Sequence, residues 1–135
     1  METGVWEPTG KKESDYIVDI DFLKSVIRNM NTLKSDDISS VLTEEEKLKH
    51  QAIMLQPKEQ WFTIAEKLEV NDLITLLRFF TLAEIAYANW HAEEKSPVIS
   101  LAKLLRQRGN KIDKSLLKWI KANNPNKFLP YGPLM

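Results

Sequence analysis

The chain has 135 residues, 43% apolar and 28% charged, with 19 basic and 19 acidic side chains and no cysteine. That length fits one hydrophobic core, the apolar content argues against disorder throughout, and the missing thiols exclude a disulfide framework or a thiolate metal site, pointing to a reducing, cytoplasmic address. The zero net charge conceals a division: residues 1–94 hold 10 basic against 18 acidic side chains, a net of −8, whereas residues 95–135 hold 9 basic against Asp113 alone, a net of +8.

Residues 1–14 carry Gly4, Pro8, Gly10 and scattered charges without a period, which reads as a mobile N-terminal tail lacking the apolar core of an export signal. Ile17, Ile20, Leu23, Ile27 and Met30 then recur at steps of three and four, predicting an amphipathic helix that ends near Asn31. The alternation over residues 16–20 leaves a short strand open. Ser35, Asp36 and Asp37 read as a short turn, and Thr43 with Glu46 forms a capping box that starts a mostly polar helix over about 44–55. Pro57 suits a first helical position, and Trp61, Phe62, Ile64, Ala65 and Leu68 supply the apolar face of the helix that follows, to near Val70.

Residues 72–91 are apolar almost all round, with Asn71 as the predicted cap. Arg78 and Glu84 near the middle argue against a membrane span, which needs about 20 mostly apolar residues. This helix is therefore expected at the centre of the fold. Ser96-Pro97 starts a further helix that Gly109 stops, and Asp113 caps a last one ended by Asn124-Pro125. The expectation is an all-α, single-domain bundle of five or six helices around residues 72–91. The helical domain spans 15–123, and 124–135 form an extended, apolar, proline-containing C-terminal tail.

Several chemistries are set aside. The four glycines are scattered, so no phosphate-cradling loop is present. Glu46 and His50 share a helix face but are expected as an exposed, solvated pair rather than metal ligands. His91 is expected to cap the central helix, where an imidazolium suits the dipole. No metal or cofactor is therefore expected. Ser14, Ser35, Thr43 and Ser96 are each accounted for by helix starts, and no nucleophile elbow occurs. Glu84 is the one carboxylate whose surroundings suit acid–base work. Its plainer fates are to emerge at the helix surface or to pair with an Arg or Lys of another helix. The expectation is a protein that is not an enzyme.

Two interaction signals remain. Residues 64–79, reading IAEKLEVNDLITLLRF, resemble the opening of a helix-turn-helix. The turn carries Glu69 where glycine is usual, and the second helix offers Leu73, Ile74, Leu76 and Leu77 where a DNA reader needs polar groups. That helix is expected to be buried. The stronger signal is the basic half. Lys114, Lys118 and Lys121 form a stripe on the last helix, Lys103 and Arg106 a polar stripe on the preceding one, and Arg108 and Lys111 lie in the turn between them. With Trp119 on the flank and Lys127, Phe128 and Tyr131 in the tail, this basic helical pair predicts an interaction or adaptor protein that binds an acidic protein surface. A nucleic-acid-binding regulator using the same surface is the alternative, with phosphate contacts and aromatic stacking. A third arrangement neutralises the basic helices internally against Asp36, Asp37 and Glu44–Glu46.

Overall fold

The structure, a computed structural model, describes residues 16–126 and Leu129. The N-terminal tail, Lys127, Phe128 and Tyr131 lie outside the described residues. Among the described residues the chain is all-helical, with no strand. Its α-helices are α1 (Ile20–Asn31), α2 (Glu44–His50), α3 (Lys58–Ala65), α4 (Val70–Ala86), α5 (Pro97–Gln107) and α6 (Lys114–Asn123). Two 3-10 turns, Gln51–Leu55 and Glu93–Lys95, join them. None of these helices is long and apolar enough to cross a membrane.

Asp19, which the apolar pattern does not single out, caps α1, its Oδ1 accepting from Asp21 N. The start signals read from the sequence are used: Thr43 and Glu46 form the reciprocal box, with Thr43 N donating to Glu46 Oε1 at 2.8 Å. Ser96 and Asp113 accept from Val98 N and Leu116 N. Gly109 takes φ +78°, a left-handed stop that glycine adopts without a Cβ penalty. Residues 16–19 precede α1 outside any helix or strand, with Asp19 extended, and their partner is a side chain. Gln60 accepts from Val18 N and donates to Tyr16 O, standing in for a neighbouring strand.

Helix α4 is the centre, as its composition predicts. Leu73, Leu76, Leu77, Phe79, Phe80 and Ala83 are wholly buried, each large side chain contributing roughly 2 kcal/mol through burial. α5 packs most extensively on it, with α1 and α6 on other sides, while α3 lies mainly on α5. Trp61 of α3 sets its ring edge-on to Phe80, 5.4 Å between centroids.

Three expected boundaries shift. The polar helix narrows to 3-10 geometry after His50, and the cap of α4 is Glu69, boxed with Asp72, rather than Asn71. Glu69 has φ −91°, so that turn needs no glycine. Most consequentially, α4 ends at Ala86 rather than at residue 91. Tyr87 turns extended and donates its hydroxyl to Ile38 O at 2.7 Å, and Trp90 donates its indole N–H to Lys47 O at 3.1 Å. Both rings fill space under α2 and the turn before it, anchored by groups that satisfy their polar tips. His91 therefore stands in the following loop and does not cap α4. The early exit sends residues 87–95 back past Glu84.

Candidate functional site

Lys114, Lys118 and Lys121 are exposed along α6, while Leu116, Leu117 and Ile120 face the core. The stripe is about 10 Å long, from the helical rise per residue. Lys111 is exposed just before it. Among the described residues no carboxylate pairs with Lys111, Lys114 or Lys118. The acidic turn does reach α6, but through Trp119, whose indole N–H donates to Asp36 Oδ2 at 3.0 Å. The Arg78 guanidinium lies over the ring, 4.9 Å from its centroid. Trp119 is thus half-buried and engaged by two groups within the domain.

α5 and α6 each pack chiefly on α4, and Lys103 and Arg106 are exposed on α5. Arg108 is not simply the tip of a basic turn. Its guanidinium donates to Leu68 O at 2.8 Å and to Ala65 O at 2.5 Å, closing the carbonyl end of α3. A cation at a helix C-terminus meets unpaired carbonyls and the negative end of the dipole, so this is a structural use of the charge.

Glu84 takes neither of its plainer fates. It is 3% exposed, on α4 two residues before the helix ends. Its Oε2 accepts from Ser96 Oγ at 2.5 Å and its Oε1 from Asn126 Nδ2 at 3.1 Å. Both donors are neutral. The same Asn126 amide donates to Glu93 O, and Asn124 braces the segment by donating to Thr81 O and accepting from Asn126 N. One carboxylate thereby ties together α4, the start of α5 and the chain after α6. Burial pushes the Glu84 carboxyl above its ordinary range, and the hydrogen bonds from Ser96, Asn126 and the Ala92 backbone, with the positive potential of His91, oppose that rise.

An open cleft of ≈ 590 Å³ lies beside this node, lined by Glu84, Ile85, His91, Glu93 and residues 124–126. Its wall includes Glu93, a non-glycine residue in a left-handed conformation (φ 49°). Sequence reasoning singled out Glu84 but not Ser96, Asn124 or Asn126 as its neighbours. Ser96 is already explained as a helix cap, and Asn124 as part of a helix stop, so neither carries a second signal. Asn126 has no local signature.

The Glu46–His50 pair is also corrected. His50 is buried, stacked on Phe22 with centroids 3.7 Å apart, and its Nδ1 lies 2.8 Å from the Tyr16 hydroxyl oxygen. Glu46 is spent on the capping box. Burial, then the charge of Lys49, pulls the imidazole below its ordinary range, against the smaller pull of Asp19 and Glu46. Among the described residues no group of three His, Asp or Glu is placed to hold a metal ion. Leu129 of the tail is buried, so that part of the tail docks on its own domain.

Comparison with family models, with curated proteins and with solved structures finds no match.

Proposed function

We propose that this protein is a non-enzymatic interaction module that binds an acidic protein segment along the basic face of α6. The observation that carries this reading is the exposure of Lys114 and Lys118 on α6, a helix whose other face is buried, with Lys111 exposed just before it and none of the three met by a carboxylate among the described residues. Lysines so placed gain little from the fold itself and remain available to an outside charge. A partner helix or extended segment with acidic side chains spaced over about 10 Å would match the stripe. An acidic protein fits better than nucleic acid because the first 94 residues carry a net of −8, which repels a long polyanion.

Fluorescence anisotropy with a labelled polyglutamate peptide, and with mixed-sequence DNA and RNA of similar length, separates the two readings. The acidic peptide is expected to bind measurably and more tightly than either nucleic acid at near-physiological salt. Tighter nucleic-acid binding, weakening steeply as salt rises, would instead establish the phosphate-binding alternative.

A further inference from the structure

The lysine face of α6 has a complement on the same chain. The segment before α2 and the first turn of α2 carry Asp36, Asp37, Glu44, Glu45 and Glu46. Burial above all, and after it the charges of Glu46, Asp37 and Glu44, hold the Tyr87 hydroxyl above its ordinary range, so these three carboxylates stand around one point. Asp37 and Glu45 are exposed, and the Glu44 side chain is 88% exposed. The fold makes few demands on this group. Glu46 serves the capping box, Glu44 meets Lys47 of its own helix at 2.8 Å, and Glu45 meets no cation among the described residues.

The acidic and basic faces adjoin. Asp36 accepts the Trp119 indole N–H at 3.0 Å, and Trp119 follows Lys118 on α6. Within one chain, however, no carboxylate among the described residues pairs with Lys111, Lys114 or Lys118, so both faces turn their charge to solvent. A surface with a positive and a negative face side by side is self-complementary. A two-fold axis near their border sets each acidic face over the lysines of the other copy, and both contacts form in one closed interface. An unrelated acidic partner would cover the lysines and leave the acidic face unused.

We propose that the α6 lysines recognise the face of Asp37, Glu44 and Glu45 on a second copy of this chain, in a two-fold dimer. This rests on the reading that those lysines take an acidic protein, and it names that protein. Exposed charge pairs contribute about 0 to 1 kcal/mol each, so two symmetric sets hold a weak dimer that salt dissolves. The monomer prevails in dilute solution, where unfolding is measured.

The test is sedimentation velocity of the full chain from about 5 to about 500 µM, at about 50 mM and about 500 mM salt. At low salt the average mass is expected to climb towards twice that of the chain and stop there, and at high salt to stay at one chain. Lys114→Glu with Lys118→Glu, and Glu44→Lys with Glu45→Lys, are each expected to stay monomeric alone. Their equimolar mixture is expected to recover the dimer, which also shows that both variants are folded. Lys58→Glu with Lys67→Glu makes the same change in net charge as the first pair, away from both faces, and is expected to keep the dimer. The proposal is overturned if the parent keeps the mass of one chain throughout, if the mass grows past two chains, or if the mixture fails to associate. A monomeric parent that binds polyglutamate loses only the second copy as partner, whereas a monomeric parent that binds no acidic peptide loses the underlying reading as well.

Discussion

Glu84 and the α6 lysines are both charged side chains on helices that pack against the same core, and the molecule uses them in opposite ways. Glu84 is enclosed, and α4, α5 and the chain after α6 meet at its two oxygens. Lys114 and Lys118 stand in solvent, and among the described residues no carboxylate pairs with them. A buried hydrogen-bonded charge has its partners fixed by packing, so its loss is felt as lost stability. An exposed charge contributes almost nothing to stability and is available for recognition. Formal charge, which divides this sequence so sharply, does not by itself distinguish the two roles.

The contrast is broken most severely at Glu84. Glu84→Ala leaves Ser96 Oγ and Asn126 Nδ2 without their acceptor and opens a void in a buried site, and is expected to cost about 3 kcal/mol in urea unfolding. A loss near zero would mean that the node does not hold the three segments together. Arg108→Ala is expected to cost about 2 kcal/mol by the same measurement, because two charge-assisted bonds to the end of α3 are lost. That result would set Arg108 apart from its basic neighbours as a structural cation.

Acidity sharpens the comparison further. Glu84 has a raised folded pKa, so its stabilising contribution is full below its ordinary value of 4.5 and is lost as pH rises through the folded value. His50 has a lowered folded pKa, so its contribution is full above its ordinary value of 6.5 and is lost as pH falls. Above pH 4.5, the stability of the parent relative to Glu84→Gln should therefore decline as pH rises. Below pH 6.5, the stability of the parent relative to His50→Phe should decline as pH falls. Thermal melts across that range check both slopes, and either slope reversed would contradict the burial assigned to that group. The smallest effect belongs to the basic face: the double reversal Lys114→Glu, Lys118→Glu should change unfolding stability by no more than about 0.5 kcal/mol.

Much of the architecture is legible in the residues. The all-round apolar run of α4, the Thr43–Glu46 box, Ser96-Pro97, Gly109 and Asp113 are local signals, and each acts where it stands. The exit of α4 at Ala86 is not local. Tyr87 and Trp90 continue the apolar pattern, and what turns the chain aside is the set of distant carbonyls at Ile38 and Lys47 that satisfy them. The same limit applies to His50, whose burial depends on Phe22 and Tyr16 in a segment 28 or more positions away. Glu84 stood out because a carboxylate inside an apolar helix must be explained. Its partners did not, since Ser96 and Asn126 come from elements that only the fold brings to it. For the basic half, the lysine stripe is readable from helical spacing, whereas the engagement of Arg108 with the end of α3 and of Trp119 with Asp36 and Arg78 is not.

The central claim is that the α6 lysines recognise rather than stabilise. It is tested most directly by the affinity of a labelled polyglutamate peptide for the parent and for the Lys114→Glu, Lys118→Glu protein, measured by anisotropy at one fixed salt concentration. Loss of about tenfold or more in affinity, with the thermal melt unchanged, is the predicted result. Equal affinity of the two proteins would contradict the account.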